Sequence, residues 1–233
     1  YFARVHHVEL AAGASVPAWP ALAVLMTTVG HTASIEFLWE SVLGSLATER
    51  RTALALLVRF GRVDAGLVHA VLGEGWSAEA LMTGLPLVES RDGAYRFHDL
   101  WRAALSAVVP ENEWRAALVA GGEYLIERGE IVRGARSLRA AGADERVVAV
   151  ARRWGTAPIT AGLSGATAEV LMECLPLAER TGALGRYLHT IQSSGFQSER
   201  VLHDLGDVYR MAIDHDPELA SLALWRQTQL LGD

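Results

Sequence analysis

The sequence predicts a mainly α-helical protein with a single β-hairpin near its middle, and three observations carry that expectation. Apolar residues recur at helical spacing, as in Ile35, Leu38, Trp39, Val42, Leu43 and Leu46. The pair Asp92-Gly93 tolerates the positive φ of a tight turn, and it divides two short segments, 87–91 and 94–98, that read as paired strands. With 233 residues, 51% of them hydrophobic, the chain is long and apolar enough to bury real cores.

In chain order, Pro20 starts a short helix over 21–26, and the stripe from Ile35 to Leu46 marks the next. Thr48 is expected to cap a helix with Leu54, Leu57, Val58 and Phe60 facing inward, stopped by Gly61. Asp64 opens another, carrying Leu67, Val68, Val71 and Leu72, and Gly73 ends it. Ser77 opens a fourth, over 77–85, with Leu81, Met82 and Leu85 inward and Pro86 as its stop. Helix, helix, helix, hairpin is the order of a winged helix.

After the hairpin, Asp99 is expected to cap a helix bearing Leu100, Ala104, Leu105 and Val108, which Pro110 ends. Trp114, Leu118, Leu125 and Ile126 define a longer helix broken near Gly129, and two more follow over 131–141 and 144–154, joined by Gly142. The stretch 155–165, rich in Gly, Ser and Thr and containing Pro158, reads as a linker. Beyond it, four helices are expected over 167–175, 183–192, 198–213 and 217–230, a helical-repeat-like region without a strict repeat consensus.

Composition excludes several chemistries. All 21 basic residues are Arg, so no Walker-A lysine, Schiff-base lysine or Ser-Lys dyad can exist in this chain. The net charge of −6 gives no global attraction to nucleic acid or anionic membrane. Cys174, the single cysteine, cannot form an internal disulfide, and no apolar run approaches the roughly 20 residues that span a bilayer. A cytoplasmic compartment is the natural expectation, with no membrane partner. Beginning at Tyr1 without Met, the sequence reads as a piece of a longer protein.

The segment 81–105, which closes on Phe97-His98-Asp99-Leu100, resembles the winged-helix subdomain of the STAND class of signalling ATPases, whose members include bacterial ATP-dependent transcription regulators. In that class a Met-His-Asp-Leu motif closes the winged helix; here Phe97 replaces the Met, and His98, Asp99 and Leu100 stand as the motif has them. Upstream, Pro17-Ala18-Trp19-Pro20-Ala21-Leu22 is similar to the family's Gly-Trp-Pro-x-x-Leu element, with Ala18 in place of the usual Gly.

The resemblance implies that His98 reaches the β-phosphate of ADP and that Pro20 lies against adenine in the intact parent protein. It implies an NB-ARC-like organisation: residues 1–34 as the end of the ATPase module, 35–109 as the winged-helix domain, 110–155 as a helical linker or repeat, and 156–233 as an α-helical repeat-like region, the helices after the winged helix forming a TPR-like superhelical array. The chain itself then needs no cofactor, while ADP or ATP with Mg belongs to the parent. Partners in cis are an upstream nucleotide-binding domain and an effector domain, and a protein or small-molecule inducer meets the helical region. A DNA-binding winged-helix transcription factor and a helical interaction scaffold remain the alternatives.

Direct DNA binding is disfavoured by charge. The segment that would enter the major groove, 77–85, carries Glu79 and no Arg, whereas phosphate contacts and Arg–guanine pairs supply the affinity of such modules. The one basic concentration is Arg133, Arg136 and Arg139, along one side of a helix, then Arg146, Arg152 and Arg153. These are candidates for docking an acidic partner, or else a solvated face laced with Glu127, Glu130, Asp144 and Glu145. His6, His7, His69, His189, His203 and His215 show no paired metal-ligand spacing, Cys174 reads as a buried thiol, and no catalytic constellation is apparent.

Overall fold

A computed structural model describes residues 42–155, 165–193 and 198–232. The Pro20 element, the helix expected over 21–26 and most of the stripe from Ile35 lie outside the described residues. The chain divides into two units, 1–118 and 119–233. Among the described residues there are twelve α-helices and one three-stranded antiparallel sheet.

In the first unit a 3-10 turn, Leu43–Ser45, precedes α1 (Thr48–Leu57), which runs into a second 3-10 turn, Val58–Phe60. Strand β1 (Arg62–Asp64), helices α2 (Ala65–Leu72) and α3 (Ala78–Met82), strands β2 (Val88–Arg91) and β3 (Ala94–Phe97), and α4 (Asp99–Leu105) follow. The sheet order is β1-β3-β2. Register sets the two faces, because cross-strand partners share a side. Val63 opposes Tyr95, which opposes Ser90, and Phe97 opposes Val88, giving an inward face on which Val63 and Phe97 are buried. The row Arg62, Arg96, Glu89 lies on the other face and is exposed.

Strand β1 corrects the expectation of a lone hairpin. Its three residues run from just after the Gly61 stop to the Asp64 cap itself, too short for an alternation pattern to register. The Asp92-Gly93 turn is as expected, with φ of 51° and 71°, both in the left-handed region a two-residue hairpin requires. Two caps also differ from expectation. Ala47, not Thr48, is the N-cap of α1, and His98, not Asp99, caps α4. His98 is extended (φ −71°, ψ 150°) and its Nδ1 accepts from the Leu100 amide at 3.3 Å, which leaves Asp99 in the first helical turn.

Short elements are fixed here by individual polar contacts. Asp64 accepts from Leu67 N at 2.8 Å, and Ser77 accepts from Ala80 N at 3.3 Å, each satisfying an amide that α2 or α3 cannot. Helix α3 stops at Met82, earlier than expected, and Gly84 beyond it has φ 76°. From α1, Arg50 donates to Leu81 O at 2.7 Å and to Thr83 O at 2.6 Å, closing the end of α3. Trp101 is fully buried, and its indole N–H donates to Pro86 O at 2.8 Å while Phe97 meets the ring edge-on at 6.4 Å.

Helix α5 (Glu111–Glu127) contains the division between the units. The second unit continues with α6 (Ile131–Ala140), α7 (Asp144–Gly155), α8 (Gly165–Cys174), α9 (Leu177–Thr181), α10 (Ala183–Ser193), α11 (Ser198–Ala212) and α12 (Pro217–Gly232). Gly129 and Gly142, at φ 81° and 71°, supply the turns before α6 and α7. The short α9, following Pro176 at its N-cap, was not expected. One apolar cluster joins Ala135, Leu138 and Val147 to Ala168, Leu171, Leu188, Leu205 and Ala223, so the helices before and after residues 155–165, a stretch expected as a domain boundary, share a single core. Where α5 meets α6, a Cβ on Gly134 would lie 2.7 Å from Gly122 O, a backbone approach that only glycine allows.

Candidate functional site

The residues between the outer face of the sheet and the start of α4 form a pocket of about 520 Å³. Its lining includes Gly61, Glu89, Arg96, His98, Asp99 and Arg102. Strand β3 presents Arg96, the strand-to-helix junction presents His98, and the first turns of α4 add Asp99 and Arg102. His98 is exposed, and because Nδ1 accepts the Leu100 N–H, the neutral ring carries its proton on Nε2. The ring is therefore oriented by the helix it caps and keeps one N–H to offer a ligand.

More positive charge surrounds the pocket than its lining alone shows. Arg62 is the cross-strand partner of Arg96. Arg59 sits with its guanidinium 4.4 Å from the centroid of the Trp114 ring, a cation–π arrangement. Burial, and after it repulsion from Arg102, holds the Arg59 guanidinium below its usual range. The Arg102 guanidinium reaches back to Gly61, 4.0 Å from where a Cβ there would stand. Chemically the arrangement suits an anion whose oxygens accept from His98 Nε2 and from planar guanidinium forks.

Sequence reasoning singled out His98 and missed Arg62, Arg96 and Arg102. The omission follows from β1: without that strand nothing places Arg62 beside Arg96. The position of Arg102, four residues after His98 and so one helical turn along α4, was available as a signal. Pro20 lies outside the described residues.

The Arg-rich helices are laced with acids. Arg133 pairs with Glu130, Arg139 with Asp144 at 2.7 Å, Arg146 with Glu123 and Arg152 with Asp216 at 2.5 Å. Arg136 is exposed between the first two. The Arg139–Asp144 and Arg146–Glu123 pairs are exposed on both sides and contribute roughly 0–1 kcal/mol each, whereas Asp216 is largely buried. His203, Asp204 and Asp207 bring ligating atoms within 4.8 Å of one another, a grouping that spacing alone did not suggest. Asp207 is already shared by Arg186 and Arg210, which compete with any cation. Cys174 is buried, and that burial pushes its thiol pKa up.

Comparison with known protein families, characterised proteins and solved structures found no match for this chain. Among the described residues no helix is long and apolar enough to cross a membrane.

Proposed function

We propose that this chain is the winged-helix and helical-repeat segment of a STAND-type, nucleotide-switched transcription regulator, a non-catalytic region in which His98 senses the β-phosphate of ADP held by an upstream domain. The observation that carries the reading is the fixed His98 ring, capped onto α4 through Nδ1 and offering Nε2–H at a pocket edged by arginines. The order helix, strand, two helices and hairpin, with sheet order β1-β3-β2, supports a winged helix. The successive helices α5 to α12 around one core support a repeat-like region that receives an inducer. In the intact protein Mg and ADP or ATP would sit on the upstream module, in the cytoplasm, and the effector domain would be released when the off state breaks.

A directly DNA-binding module is the weaker reading. Helix α3, which such a module would place in the major groove, has Glu79 as its single charged residue. The nucleotide-switch reading is tested in the full-length regulator. One charge-assisted hydrogen bond to phosphate contributes about 1.5–3 kcal/mol, so His98→Ala is expected to speed ADP release by more than tenfold and to raise inducer-independent output. Unchanged ADP retention in a folded variant would refute the role of His98.

A further inference from the structure

We infer that Arg96 and Arg102, together with His98, form a diphosphate-recognition pocket in this chain by itself, competent without the phosphate-binding loop of another domain. The inference deepens the reading of His98 above and rests on it for where the anion lies. Among the described residues the ion pairs within 4.0 Å engage Arg91, Arg115, Arg133, Arg139, Arg146, Arg152, Arg186 and Arg210, and neither Arg96 nor Arg102. Both unengaged guanidiniums nevertheless line one pocket, on either side of His98 in sequence.

Two carboxylates, Glu89 and Asp99, share that lining. Neither lies within ion-pairing distance of Arg96 or Arg102, although Glu89 stands directly across the strand from Arg96. Arg62 stands across from Arg96 on the other side, and Arg59 is close enough to Arg102 to feel its charge. The lining thus holds two guanidiniums and two carboxylates, and Arg59 adds a third guanidinium beside Arg102, in a chain whose net charge is −6. Like charges brought together at the pocket disfavour the free state, and a multiply charged anion relieves that repulsion where a neutral or cationic ligand cannot. Arginine forks match phosphate oxygens in pairs, and a pocket of about 520 Å³ has room for more than one phosphate group.

The shared chemistry is a diphosphate, supplied either by the tail of a nucleotide or as free pyrophosphate. The two are separated by titrating this chain with inorganic pyrophosphate, ADP and adenosine, following heat and the NMR signals of the His98 ring and the Arg side-chain Nε–H groups. We expect pyrophosphate and ADP to bind with affinities within a few-fold of each other, adenosine to cause no shift, and Arg96→Ala and Arg102→Ala each to weaken pyrophosphate binding at least tenfold. Arg102→Lys, which keeps the charge and loses the fork, should fall between. Arg91→Ala, which removes the same charge from the hairpin tip, should bind as the unsubstituted chain does.

Absence of pyrophosphate binding, retention of it in Arg102→Ala, or an equal loss in Arg91→Ala would each overturn the pocket. The outcome is separable from that of the nucleotide switch. Arg-dependent pyrophosphate binding combined with unchanged ADP retention in full-length His98→Ala sinks the switch and leaves the pocket standing. Altered ADP retention with no pyrophosphate binding by this chain does the reverse.

Discussion

The two units solve the same problem, burying apolar surface, by different means. In the first, α3 has five residues and β1 three, and isolated elements of that length have no stability of their own. They are held by point contacts: the Trp101 indole on Pro86, Arg50 on Leu81 and Thr83, and the caps Asp64, Ser77 and His98. The second unit is built from helices of mostly ten residues or more, whose apolar stripes meet in one cluster, with ion pairs on the outside. Point contacts make a unit sensitive to single atoms, whereas stripes spread the energy over many side chains.

The comparison can be broken most directly at Trp101. Truncating a fully buried aromatic costs about 3–5 kcal/mol, and here it also strands the Pro86 carbonyl, so Trp101→Ala should expose the amides of residues 42–118 to rapid hydrogen exchange. Loss of less than about 1 kcal/mol in urea unfolding would show that the first unit does not depend on this anchor.

A smaller effect is expected at Gly134. The added methyl of Gly134→Ala meets Ile126, which can move, and the Gly122 carbonyl, which cannot without moving α5 away from α6. Overpacking of this kind costs roughly 1–3 kcal/mol, offset to some extent by the better helix propensity of Ala. We expect a net destabilisation of about 1 kcal/mol, read as a lower urea midpoint for the second unit. An unchanged or raised midpoint would mean that the helices yield and that the stripe model is more forgiving still.

The difference between the units also governs what sequence could disclose. Helices α6 and α7 were legible nearly to the residue because Gly129 and Gly142 bracket them and their stripes are regular. The hairpin was legible because Asp92-Gly93 has few alternatives to a turn. Strand β1 was not, since three residues carry no period, and its pairing with β3 is a tertiary fact. The His98 cap escaped for a related reason: Asp is the commoner cap, and nothing local shows that the extended backbone persists one residue less far than Asp99 would need. Of the pocket, His98 was singled out through a resemblance, while Arg62 and Arg96 became neighbours only through the sheet.

The smallest effect expected concerns Cys174. Burial raises its thiol pKa, so the folded chain keeps the proton at pH values where the unfolded chain has begun to lose it. The stability this contributes is fully present below the unfolded thiol pKa of about 8.5 and is lost as pH rises from there through the folded value. Alkylation by iodoacetamide at pH 8 should be at least roughly tenfold slower in the folded chain than in urea, because the reactive thiolate is both scarce and covered. Equal rates would place the thiol at the surface.

The contact from Arg50 to the end of α3 has a kinetic consequence. It joins residues 31 and 33 positions apart, with β1 and α2 between them. A five-residue helix cannot persist before its partners arrive, so α3 waits for that loop to close. Strand β2, which follows it in the chain, finds its pairing only when β3 is also present. In a chain emerging in order from synthesis, the site around His98 stays unformed until α4 has been made.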